Sequence, residues 1–165
     1  MSSRTVAARA GTRVRLAMRP AWADRFRQPN AEQLLAGVIP ALRPLLSAMR
    51  DRLREHPQAR ESLAWLGTWQ WTLQFRTAAT NGVAWVYLIP NPQRPQVCIP
   101  VQDAFLAGVA PRLLTRSMLE TLSLAPTVDG VRWATWDVQS RTQMDGLATL
   151  AIAIAGPEQK TRQEA

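Results

Sequence analysis

The spacing of apolar residues changes from a helical to a strand period near the middle of this chain, and the change constrains the fold more than any other feature. Leu35, Val38, Leu42, Leu45, Met49 and Leu53 recur at intervals of three and four. That is the stripe of an amphipathic helix. Trp69, Trp71, Leu73 and Phe75 then alternate with Gln70, Thr72, Gln74 and Arg76. That is a strand with one apolar face. Helical and strand periods in separate blocks predict an α+β domain.

The punctuation of each block supports this. Asn30 and Gln33 hold the two positions of a capping box, which opens the first helix. Pro40 and Pro44 interrupt the stripe; each removes a backbone donor and clashes with the preceding turn. The helix is therefore expected in two pieces, the second ending near His56, with Pro57 just beyond. Trp22 and Phe26, four apart, are expected to seat the start of the fold on one helical face. Asn81-Gly82 reads as a turn. VAWVYLI, apolar on both faces, reads as a central strand. Pro90, Pro92 and Pro95 make a loop, and QVCIPV a further strand with Pro100 near an edge or a strand end. Residues 102–125 return to helical spacing, with Pro111 as a helix start and Leu114, Met118, Leu119 and Leu122 as the stripe. Asp129-Gly130 is a turn before the strand VRWATWDV. Ser140 and Gln143 make a second capping box, and the last helix, about 141–155, stops at Gly156-Pro157.

The expectation is an α+β fold, a mostly antiparallel sheet of four to five strands with helices packed on one face. With 165 residues there is material for one domain. The organisation reads as a flexible basic leader (1–20), a single α+β domain (21–156) and a polar tail (157–165).

Seven tryptophans make the chain tryptophan-rich, and alternation predicts where several point. Trp69, Trp71, Leu73 and Phe75 share the side that helices would cover, so both tryptophans are expected in the core. The other side, with Gln70, Thr72, Gln74 and Arg76, is a solvated sheet face or the wall of a shallow groove. Trp133 and Trp136 are three apart and so point to opposite faces. Trp136 shares its side with Ala134 and Val138 and is expected in the core. Trp133 is then left for a surface, a pocket or a subunit contact. Trp133, Gln70, Gln74 and Arg76 are the candidate ligand or partner surface.

The charge is uneven. Residues 1–60 hold twelve arginines against four acids, and the remainder is neutral, for a net +8. A basic front with Arg4, Arg9, Arg13, Arg15 and Arg19 suits an anionic partner, nucleic acid among them. Nineteen arginines beside one lysine also fit a compositional bias. The leader has no apolar core of a secretory signal, and loosely resembles a transit peptide in being arginine-rich and acid-free. No stretch reaches the roughly 18 apolar residues of a membrane span. One cysteine makes no intrachain disulfide, which suits a reducing cytoplasm.

Catalytic constellations are scarce. His56 falls at a helix C-terminus, where a structural role is expected. Cys98 lies in an apolar strand, where thiols are inert. Lys160 is in the tail. No metal site follows from one His and one Cys, and no cofactor is expected. Asp103, Glu120, Asp129 and Asp137 are the carboxylates left for an acid–base site.

Gly67, Trp69, Trp71, Tyr87, Pro90, Gly130, Arg132 and Trp133 together resemble an uncharacterised bacterial family, domain-of-unknown-function family 3788, over about residues 30–155. Its pattern is a helix, a Trp-containing hairpin closing on Tyr and Pro, a helical stretch, and a G-R-W strand before a last helix. The resemblance implies an α+β fold and carries no activity. The leading expectation is thus a small soluble α+β binding or interaction module without catalysis, acting on a protein partner or a second copy of itself. The alternatives are a nucleic-acid-associated protein using its leader, and an enzyme with a carboxylate site.

Overall fold

The computed structural model describes residues 19–80 and 83–156. The Asn81-Gly82 turn, residues 1–18 of the leader and the tail lie outside the described residues. The helices are α1 (Ala31–Gly37), α2 (Arg43–Arg54), α3 (Asp103–Gly108), α4 (Arg116–Leu124) and α5 (Arg141–Ala155). The strands are β1 (Arg60–Trp65), β2 (Trp71–Arg76), β3 (Ala84–Ile89), β4 (Gln96–Gln102), β5 (Thr127–Val128) and β6 (Val131–Asp137). They form one antiparallel sheet in the order β1-β2-β3-β4-β6-β5. The sheet has six strands rather than four to five. No described helix is long and apolar enough to cross a membrane.

The local signals act as their chemistry requires. Asn30 accepts from the Gln33 N–H at 2.8 Å and Gln33 returns the bond at 2.9 Å, closing the first capping box. The prolines split the stripe as expected: α1 stops at Gly37 and α2 starts at Arg43, with Pro44 in its first turn. Ser140 caps α5 through the Gln143 N–H, but the Gln143 side chain reaches back to Gln139 instead of Ser140. Asp129 and Gly130 both take positive φ, 50° and 76°, the conformation of a tight hairpin turn between β5 and β6.

All five helices lie on one face. Leu35 of α1, Leu46, Met49 and Leu53 of α2, Phe105 of α3, Met118 and Leu122 of α4 and Leu147 of α5 join Leu73, Phe75, Leu88, Val97, Ile99 and Trp136 of the sheet in one cluster. Each fully buried side chain of this size contributes about 1.5–3 kcal/mol. Trp136 is in this cluster and Trp133 is not, as alternation predicts.

β1 was not visible as a strand. Its inward positions are Glu61, Leu63 and Trp65, paired in register with Phe75, Leu73 and Trp71. Glu61 can face the helices because Arg50 of α2 binds both its oxygens, at 2.8 and 2.9 Å, while its third donor goes to Glu32 of α1. A charge at an inward position hides the alternation.

Two further expectations fail. Trp69 and Trp71 do not share a face. Gln70 takes φ 55°, a left-handed conformation between a short 3-10 turn and β2, so the alternation restarts at Trp71. Trp71 is buried and its indole N–H donates to the Asp24 carbonyl at 2.7 Å, whereas Trp69 turns to the second face. Nor do Trp22 and Phe26 act together. Trp22 is half-buried and donates to the Trp69 carbonyl at 3.1 Å, while Phe26 is 94% exposed.

Candidate ligand cleft

The face away from the helices is not a bare solvated surface. Thr72, Gln74 and Thr77 are all buried. Gln74 lies between Ser62 and Tyr87 in register. Trp69 packs on Tyr87 with ring centres 5.5 Å apart, and Tyr87 on Trp133 at 6.0 Å. These rings form a row across β3 and β6, closed at one end by Trp22 and Leu66 and lying over Cys98 and Ile89. Burial pushes the Cys98 thiol up to about 11, although a hydrogen bond with Thr135 works the other way. Burial also raises the Tyr87 phenol.

A cleft opens at the Trp133 end of the row, and the backbone explains it. β3 carries one extra residue against β2: Phe75 pairs with Val86 but Arg76 with Ala84. This bulge turns Trp85 inward, so that Trp85 and Val86 both join the helix-side core. β3 and β4 then pair only at Tyr87–Cys98, Leu88–Val97 and Ile89–Gln96. β4 stays paired to β6 through to Gln102–Val131, and its Pro100 has no amide hydrogen to offer a neighbour. β4 is therefore an interior strand, not an edge, and its proline falls where it parts from β3.

The gap between the parted strands is a cleft of about 510 Å³. Ala84 and Trp85 form one side, Pro100 and Gln102 the other. Val131 and Trp133 continue it along β6, and Phe105 and Ile154 close it on the helix side. Among the described residues none that lines it is ionisable. Thr80 also lines it, but its hydroxyl is already committed, donating to the Thr77 or the Val83 carbonyl at 2.9 or 2.7 Å. The Gln102 amide makes no hydrogen bond among the described residues, which leaves it for a ligand.

Of the candidate surface residues, Trp133 lines the cleft. Gln70, half-buried, has its amide oxygen buried without a partner. Gln74 is buried and its amide oxygen accepts from Arg76, which is exposed at the end of β2. These three do not meet Trp133 in one site. Sequence reasoning missed Phe105, Ile154 and Gln102; the only signal was Pro100 itself, a proline inside an apolar strand.

Arg4, Arg9, Arg13 and Arg15 lie outside the described residues, and Arg19 is exposed at the front of the fold. The carboxylates are engaged with separate arginines: Asp103 with Arg132, Glu120 with Arg116 and Asp137 with Arg94, while Asp129 sits in its turn. Among the described residues no three His, Cys, Asp or Glu side chains gather to hold a metal ion. His56 is buried rather than exposed. Its ring lies 6.0 Å from Trp85 and its Nε2 is 3.5 Å from the Gly156 carbonyl, so it packs between α2 and the end of α5. Comparison with known protein families, curated proteins and solved structures finds no match.

Proposed function

We propose that this chain is a non-catalytic binding module whose cleft takes a neutral, largely apolar small molecule. One observation carries the reading: a cleft of about 510 Å³ has no ionisable residue in its lining among the described residues. Small-molecule sites fall in the range of about 300–1,000 Å³ and are mostly apolar with a few convergent polar groups. Trp133 and Phe105 supply flat apolar area, and the Gln102 amide supplies an NH2 donor group and a carbonyl acceptor. An ion seated against this lining would lose part of its hydration and gain no counter-charge from the described residues, which favours neutral ligands. The resemblance to family 3788 adds no activity to the reading.

Nile red, a neutral apolar dye, tests it. The dye is expected to bind with saturable fluorescence at one site per chain. Trp133→Ala is expected to weaken binding roughly tenfold, about 1.4 kcal/mol. Gln102→Glu places a charge in the lining and is expected to weaken it further as pH rises past the carboxylate range. Dye binding that does not saturate, or that both variants leave unchanged, overturns the proposal.

A further inference from the structure

A second hollow, of about 350 Å³, lies where residues 19–29 pass in front of α1. Arg19 and Arg27 both line it, together with the Gln33 amide. Nine of the fourteen described arginines are committed, Arg60 and Arg76 among them through the Ala59 carbonyl and the Gln74 amide oxygen. Arg50, Arg52, Arg94, Arg116, Arg132 and Arg141 meet carboxylates, and Arg43 donates to the Ala36 and Val38 carbonyls. Neither Arg19 nor Arg27 has such a partner among the described residues. Asp24 also lines the hollow and opposes an anion there. Its carboxylate accepts from the Phe26 N–H at 3.1 Å, which fixes the turn that follows it.

That turn presents Phe26, 94% exposed, between Arg25 and Arg27. A phenylalanine held in water beside uncommitted guanidinium groups has no packing role in this fold. Flat rings that take up a base, flanked by cations that take up phosphates, are how single strands are bound without sequence preference. The preceding sequence extends the same charge: Arg4, Arg9, Arg13 and Arg15 occur with no acid before Asp24. We propose that residues 19–27 bind single-stranded nucleic acid, with Arg19 and Arg27 seating a phosphodiester and Phe26 stacking on an adjoining base. The proposal does not depend on the ligand cleft.

Anisotropy of a fluorescent oligothymidylate with the full chain, from about 50 mM salt upward, tests it. Binding is expected, weakening steeply with salt. Phe26→Ala should lose roughly tenfold in affinity with the salt slope unchanged. Arg19→Gln combined with Arg27→Gln should flatten that slope by about one to two. Asp24→Asn, which keeps the oxygen that accepts from Phe26, should strengthen binding. Arg112→Gln, at an exposed arginine elsewhere, should leave it unchanged. All five substituted positions are exposed or half-exposed, so thermal midpoints near that of the parent chain confirm that the comparison is of folded proteins. No binding overturns the proposal, as does binding that Phe26→Ala or the paired arginine change leaves intact. So does capture on phosphatidylserine vesicles in place of the oligothymidylate, which assigns the segment to a membrane surface.

Discussion

The two faces of the sheet are closed by different means. On one, five helices supply a layer of aliphatic side chains, and the strands below are buried along their length. On the other no α-helix contributes to the cluster, and Trp69, Tyr87 and Trp133 lie tilted against one another across the strands in its place. Large rings can do this because each covers much area while losing few torsions. Such a cover ends where the rings end. The helix face is continuous, whereas the aromatic face stops at Trp133, and the cleft begins there. An aromatic row thus makes a dry surface and a binding edge from the same residues.

The largest expected effect breaks this comparison most directly. Trp136 of β6 is 4% exposed among the helices, so Trp136→Ala should lose about 3–5 kcal/mol of stability. Trp133, three residues earlier and half-buried on the other face, should lose only about 1–2 kcal/mol when truncated. Urea unfolding of the two variants measures both. Equal losses would mean that the aromatic face is as closed as the helical one, and that the cleft is not an opening.

How far these faces could be read from sequence follows from backbone regularity. β6 pairs with β4 at seven consecutive positions, so period two holds and the opposite placing of Trp133 and Trp136 is legible. At Gln70 one left-handed φ resets the alternation, and no pattern of apolar residues encodes a single dihedral. That is why alternation alone puts Trp69 under the helices. β1 was hidden because Glu61 occupies an inward position that only Arg50, eleven residues earlier, makes tolerable. The helices were legible because caps and prolines act within a few residues. The cleft was not, because it arises from pairing that fails between β3 and β4, and a missing long-range bond leaves no local trace.

The second prediction measures how dry the aromatic face is. Cys98 points to that side and is fully buried, with its thiol raised from 9.0 to about 11. The unfolded chain therefore loses this proton first. Stability should fall as pH rises from about 9 and level off above about 11, a loss of up to roughly 2–3 kcal/mol. The raised Tyr87 phenol acts in the same direction. Cys98→Ala is expected to start somewhat less stable at neutral pH and to show a shallower alkaline decline. Chemical denaturation from pH 8 to 11 follows both. A variant that declines as steeply as the parent would mean that water reaches the thiol and that the rings are a loose cover.

The smallest effect comes from the rim, where neither face protects the charges. Arg94 donates to both oxygens of Asp137, at 2.8 and 2.9 Å, and the Gln96 amide adds a third bond at 2.7 Å. Arg94 holds the Asp137 carboxyl below its ordinary value, and the Gln96 bond adds to this. A carboxylate with a depressed folded-state value stabilises the fold above its unfolded value, and that contribution is lost as pH falls through the folded one. Arg94 is largely exposed, so water and salt screen the pair. The difference in stability between the parent chain and Asp137→Asn should therefore be small at pH 7, shrink below the ordinary carboxylate range, and shrink also at high salt. By contrast, the Trp136→Ala loss should be nearly the same at pH 7 and pH 5 and at any salt, because it is a packing loss. An Asp137→Asn difference that persists unchanged in acid would place the value of that side chain in its shape rather than its charge, and the rim would then resemble the core.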